Sequence, residues 1–194
     1  MLLVAVDIGN TNVVIGFLDD GHIAGTYRIT TKANHTSDEY GLMITQFLRL
    51  SGYAPGDVDD VIITSVVPKV MHSFRASIVK FLNIDPMIVG PGVKTGINIR
   101  MDNPQNMGAD CIADCAGAYY EYGGPILVAD FGTATTFNYV TADASVICGL
   151  ITTGIRTGAA ALWDATAQLP EVEIPTSTSP SRPRPSTCRA KIRS

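Results

Sequence analysis

One pattern occurs twice in this 194-residue chain: an apolar run with an aspartate at its end, a glycine, a hydroxyl-bearing turn, two further apolar runs and a helical stretch. The first copy opens with Leu2–Ile8 and carries Asp7; the second opens at residues 125–130 and carries Asp130, 123 residues later. Such a repeat constrains the fold more than any single motif. Each copy must bury one face of a small sheet, so two like units predict two lobes of one α/β architecture.

Local patterns fill in the elements. The first unit reads as strands over 2–8, 13–18 and 23–29, with Asp19-Asp20-Gly21 as the hairpin turn between the last two. Thr36 and Glu39 stand at capping-box spacing ahead of Tyr40, Met43, Ile44, Phe47 and Leu48, an amphipathic helix that Gly52 ends. The β-branched run 61–67 predicts a strand covered on both faces. A helix carrying Met71, Phe74, Ile78, Phe81 and Leu82 and a short strand at 87–89 follow. Residues 90–108, rich in Gly, Pro and Asn, read as an ordered loop before a helix over Ala109–Tyr122. The second unit predicts strands at 125–130, 137–140 and 145–150 and a helix at 157–168. The domains expected are a first lobe with its substrate loop at 1–122, a partial second lobe at 123–174 and a tail at 175–194.

Charge and composition exclude several classes. The formal net charge is −4, but residues 1–174 hold nine Lys or Arg against all 18 acids, so a nucleic-acid-binding surface is not expected. No apolar run approaches the ~20 residues of a membrane helix, and the N-terminus lacks the basic flank of a signal peptide. The chain is therefore expected to be cytoplasmic, with Cys111, Cys115, Cys148 and Cys188 outside any disulfide. His22, His35 and His72 show no metal-ligand spacing. The Gly92–Lys94 region lacks the spacing of a phosphate loop, because the glycine is not adjacent to the lysine.

Three motifs carry the chemistry. Asp7-Ile8-Gly9-Asn10-Thr11-Asn12 combines a strand-end carboxylate, a glycine that lets backbone approach a phosphate, and Asn and Thr donors. Asp130-Phe131-Gly132-Thr133-Ala134-Thr135-Thr136 repeats that logic. Either alone reads equally well as an ordinary polar hairpin. At equivalent points of a repeat, the pair predicts two lobes closing on one nucleotide phosphate chain. Gly108-Ala109-Asp110 opens a helix, where Asp110 is either a helix-start residue or a carboxylate placed to accept a proton from a substrate hydroxyl.

The segments DIGNTN, TSDEY, SVVP, GPGVKTGINIRMDNP, GAD, DFGTATTF and GLITTGI, spread over residues 1 to about 174, together resemble the type III pantothenate kinase family. The resemblance implies an α/β fold of two ribonuclease-H-like lobes, as in the actin-like ATPase superfamily, with the second lobe incomplete here. It implies ATP, accompanied by Mg2+, on Asp7, Ile8, Gly9, Asn10, Thr11, Asn12, Val13, Val14 and Thr133. Pantothenate would meet Met101, Gly108, Ala109, Asp110 and Cys111, with Asp110 as catalytic base. Asp130 would bind a monovalent cation, K+ or NH4+, and the active form would be a homodimer that binds neither nucleic acid nor membrane. The implied reaction is ATP-dependent phosphorylation of pantothenate to 4′-phosphopantothenate, which opens coenzyme A synthesis.

Three departures qualify the match. Cys111 stands where many members have arginine, and Met101 where many have tyrosine. After Ile174 the chain switches to a Pro/Ser-rich stretch with five bases and no acid, read as a disordered, frame-shifted or truncated end. A truncated inactive product and a non-catalytic nucleotide- or partner-binding relative are the alternatives to an active kinase.

Overall fold

The computed structural model describes residues 1–90 and 93–166. The expectation of a disordered tail, together with Cys188, Pro91 and Gly92, lies outside the described residues.

Two sheets form, one per repeat. The first has the order β3-β2-β1-β4-β5, from β1 (Leu2–Ile8), β2 (Asn12–Asp19), β3 (His22–Thr30), β4 (Val58–Ser65) and β5 (Met87–Ile88). Its first three strands are an antiparallel meander, and β4 runs parallel to β1. Asp20 and Gly21, both at positive φ (47° and 81°), make the β2–β3 turn, the geometry that a tight hairpin between twisted strands requires.

Alternation along the strands decides which face is covered. Val4, Val6, Ile8, Val13, Ile15, Phe17, Val61 and Ile63 are buried beneath α1 (Ser37–Leu50) and α2 (Pro68–Leu82), which contribute Tyr40, Ile44, Leu48, Phe74 and Ile78. The Thr36–Glu39 capping box is present, with the Glu39 amide donating to Thr36 Oγ1 at 3.2 Å and the Thr36 amide donating to Glu39 at 2.7 Å. Strand β4 departs from expectation. It begins three residues earlier than the β-branched run and ends at Ser65; Val61 and Ile63 are buried on one face, and on the other Thr64 is buried and Ile62 half-buried. Valines 66 and 67 instead lead into α2, whose first residue is Pro68.

The second sheet has the order β6-β9-β8-β7, from β6 (Asn98–Ile99), β7 (Ile126–Phe131), β8 (Ala134–Val140) and β9 (Ser145–Thr153). β7, β8 and β9 repeat the antiparallel meander of β1, β2 and β3. β8 and β9 extend beyond the apolar runs that signalled them, because pairing is a backbone property that polar Thr135, Thr136 and Thr152 join equally well. β6 lies inside the stretch expected to be loop and pairs in parallel with β9. Two residues are too few to show a period in sequence. A smaller core of Cys115, Val140 and Val146 packs with Ile97, Met101, Met107 and Tyr119.

The helix α3 (Ala109–Tyr122) lies between the two sheets, touching β4, β7 and β8. α4 (Ile155–Asp164) follows β9, starting two residues before the expected helix. The sheets differ at one edge. β1 has β4 as its outer neighbour, whereas among the described residues β7 has none, and Leu127, Phe131, Leu150 and Ile151 are exposed nearby. No described helix is long and apolar enough to cross a membrane.

Candidate functional site

The repeat places its two aspartates alike. Asp7 is the penultimate residue of β1 and Asp130 that of β7; each is followed by one strand residue and then a glycine that opens the hairpin. The first loop spans Gly9 to Asn12 between the paired Ile8 and Val13, and the Gly9 amide donates to Asn12 O at 3.0 Å. The second is one residue shorter, Gly132 to Ala134 between Phe131 and Thr135, with the Gly132 amide donating to Ala134 O at 3.0 Å. The tips meet. Thr11 Oγ1 lies 2.9 Å from Thr133 Oγ1, a contact between residues 122 apart in sequence.

Not every residue expected to line this cleft offers a side chain to it. Ile8 and Val13 have no exposed surface and belong to the core of the first lobe, so they face the cleft only through backbone. Asp7 and Val14 are on the opposite face, bordering a groove of about 370 Å³ with Gly16, Thr64 and Ala113.

Helix α3 supplies the third wall. Gly108 is its N-cap and Asp110 lies in its first turn, where Asp110 Oδ1 accepts from the Cys111 amide at 2.7 Å. A Cβ on Gly108 would collide with that carboxylate, so glycine is what lets Asp110 fold back over the helix start. Cys111 reaches across to β8, its thiol 3.9 Å from Thr136 Oγ1. Burial pushes its thiol pKa up, with the Asp110 charge adding to the effect, so Cys111 stays a neutral thiol. Met101 sits after β6 and packs on the small core near Gly149.

The carboxylates gather in this cleft. Asp7 accepts from Thr64 Oγ1 at 2.7 Å. Burial of its carboxyl raises its pKa, the Thr64 bond opposes the rise, and the negative charges of Asp110 and Asp130 add to it. Sequence reading missed a fourth member, Asp114, one turn after Asp110 on the same helix face. Its i, i+4 spacing from Asp110 was the available signal. Crowding by protein atoms, with the charges of Asp130, Asp110 and Asp7, raises Asp114 to about 6. The residue still has solvent on one side, because the cleft is open there.

The shift has a sign that can be measured. The folded chain binds a proton at Asp114 over the interval from the ordinary 3.8 up to about 6, where an unfolded chain has released it. Stability from this group is thus present at low pH and falls as pH rises through that interval. Asp114→Asn is expected to match the parent near pH 3.5 and to melt ~2–4 °C higher at pH 7, corresponding to about 1 kcal/mol after allowance for solvent screening. Melting curves across pH 3.5–7.5 check this, and a constant offset at every pH would contradict it.

Among the described residues no three acidic, His or Cys side chains converge on one point as a metal cage would require. The donors present are hard carboxylate oxygens, suited to Mg2+ or an alkali cation held jointly with phosphate rather than by protein alone.

Two repeated strand units, hairpins facing each other and carboxylates in the cleft between define a two-lobed α/β fold. A solved structure from Sinorhizobium meliloti, described as a 2-dehydro-3-deoxygalactonokinase protein, shares this fold over 86% of this chain and 56% of its own, with a TM-score of 0.50 at 14% identity. The profile of type III pantothenate kinase matches residues 3–193. A type III pantothenate kinase of Bifidobacterium adolescentis is 92% identical over 174 residues, covering 90% of this chain and 68% of the relative; one from Bifidobacterium longum is 76% identical over 173 residues, 89% and 68% respectively. The chain belongs to the type III pantothenate kinase family.

Proposed function

We propose that the cleft holds the phosphate chain of ATP between the Gly9–Asn12 and Gly132–Ala134 hairpins while Asp110 takes the hydroxyl proton of pantothenate. Family membership makes the reaction the ATP-dependent phosphorylation of pantothenate to 4′-phosphopantothenate, the opening step of coenzyme A synthesis. The observation that carries the assignment of the site is the 2.9 Å meeting of Thr11 and Thr133, with the charges of Asp110 and Asp130 close enough to act on Asp7.

Each residue has a part in this reading. Thr11, Thr133 and the hairpin backbone bind phosphate oxygens, with Ile8 and Val13 contributing main chain alone. Asp7, held by Thr64, faces the divalent ion that accompanies ATP and neutralises phosphate charge. Asp130 borders the site for a monovalent cation, K+ first. Gly108, Ala109, Asp110, Cys111 and Met101 line the pantothenate side. Phosphoryl transfer is mostly positioning and charge stabilisation, so a carboxylate that accepts the hydroxyl proton as the oxygen attacks is the main chemical part the protein supplies. The working form is a cytoplasmic homodimer in this reading.

The test is a pantothenate phosphorylation assay on the 194-residue chain in potassium and in sodium buffer, with sedimentation to read the oligomer. Activity that falls in sodium supports the cation assignment; equal rates remove Asp130 from it. A second reading, nucleotide binding without turnover, is favoured by the β7 edge, open among the described residues, and by Leu127, Phe131 and Leu150, exposed on one face of that sheet. ATP binding without product in the same assay would select it.

A further inference from the structure

Hairpin tips leave carbonyl groups without ladder partners, and here both tips are fastened by a threonine from outside the hairpin. Thr31, immediately after β3, donates its hydroxyl to Gly9 O at 2.7 Å, and its amide donates to Thr11 O at 3.0 Å. Thr157, the third residue of α4, donates its hydroxyl to Thr133 O at 2.9 Å, and the Gly154 amide donates to the same oxygen at 3.2 Å. α4 has glycine at its N-cap and no side-chain cap, and the Thr157 hydroxyl goes to the hairpin.

The two fastenings fall at corresponding places. Thr31 follows the third strand of the first meander, and Thr157 stands four residues past the end of β9, the third strand of the second. Each holds the carbonyl side of a loop whose side-chain hydroxyl is turned to the opposite lobe. The chain of contacts runs from α4 through Thr157 to the Thr133 carbonyl, and from Thr133 Oγ1 across the cleft to Thr11 Oγ1. It continues through the Thr11 carbonyl to Thr31. We propose that Thr31 and Thr157 are positioning residues for phosphate binding, holding the two hairpin tips so that the Thr11 and Thr133 hydroxyls are presented to one phosphate group.

The proposal rests on the nucleotide-site reading above and adds two residues to it. Neither threonine touches the expected ligand; each acts through the hairpin it fastens. Losing the hydroxyl leaves the tip free to sample other conformers, and ATP must then order it on binding. The expected loss of ATP affinity is on the order of 5-fold for each hydroxyl, the typical worth of one such bond. Pantothenate, which binds on the α3 side, should not sense it.

The experiment measures Mg-ATP and pantothenate binding by calorimetry on the 194-residue chain and on Thr31→Val, Thr157→Val, Thr31→Ser and Thr157→Ser, with a melting curve for each. The expected result is a ~5-fold weaker ATP affinity for both Val variants, unchanged pantothenate affinity, and recovery in the Ser variants, which keep the hydroxyl. ATP affinity within 2-fold of the parent in the Val variants overturns the proposal. So do an equal loss for pantothenate, a Ser variant that fails to recover, and a Val variant that no longer melts cooperatively, since each assigns the threonines a general structural part. A parent chain that binds no ATP overturns the nucleotide-site reading itself, which is a different outcome from a parent that binds and a Val variant that binds equally well.

Discussion

Asp110→Asn is expected to lower the turnover of pantothenate phosphorylation by ~10²–10⁴-fold while ATP affinity stays within about 2-fold, the range general-base removal typically gives. The substitution keeps size and polarity. Asn Oδ1 can still accept from the Cys111 amide as Asp110 Oδ1 does, so the helix start is preserved. What is lost is the capacity to take a proton, and with it one negative charge in a cleft where Asp7, Asp114 and Asp130 repel one another. Relief of that repulsion should make the variant equally stable or slightly more so. Lower turnover therefore cannot be put down to unfolding. Steady-state kinetics separate the cases: a fall in kcat with unchanged KM for ATP marks a group used in the transition state, whereas a rise in either KM alone would make Asp110 a binding residue. Near-normal turnover would remove it from the chemistry.

Gly154→Ala is expected to lower the melting temperature by ~5–10 °C, corresponding to about 2–3 kcal/mol of overpacking, and to weaken ATP binding about 10-fold. Gly154 has φ −65° and ψ 155°, which alanine adopts without strain, so its backbone conformation does not demand glycine. Space does. A Cβ there would overlap the carbonyl oxygens of Gly132 and Thr133 and lie 2.7 Å from the Thr133 carbonyl carbon. These are backbone atoms of the second hairpin, and no side chain can swing away. The hairpin would have to shift, breaking the Gly154 amide and Thr157 hydroxyl bonds to Thr133 O and pulling Thr133 from Thr11. Gly158→Ala is the control. Its Cβ would meet only Thr153 Cγ2 at 3.6 Å, an ordinary contact, and inside α4 alanine should stabilise by up to about 1 kcal/mol. If Gly154→Ala melts as high as the parent, the tight approach of hairpin and helix is not what fixes the site.

Much of the fold was legible because its signals are local. The capping box, the hairpin at Asp20-Gly21 and the amphipathic faces of α1 and α2 depend on neighbours a few residues apart, and each formed as its spacing requires. α3 began and ended at the residues its pattern marked, because Gly108 and Gly123 bound it. Elements with little local signal were missed or misjudged. β6 exists only because β9 offers it an edge, and β4 extends back to Val58 through Asp59 and Asp60, which carry no apolar signal.

The sequence by itself determined the two like strand units, the family, and the residues proposed to carry the chemistry: Asp7, Asp110 and Asp130 each stand near a glycine and a turn that only certain residues can make. Tertiary structure alone decided which of these groups meet. That Ile8 and Val13 turn inward follows from the pleat once α1 and α2 cover one face. That Asp114 joins the other carboxylates follows from α3 lying between the sheets. That Thr31 and Thr157 fasten hairpins whose tips touch across the cleft follows from how two lobes close. Contacts between residues more than a hundred positions apart leave no spacing in a single sequence, because their geometry is set by packing of whole elements rather than by any repeat along the chain.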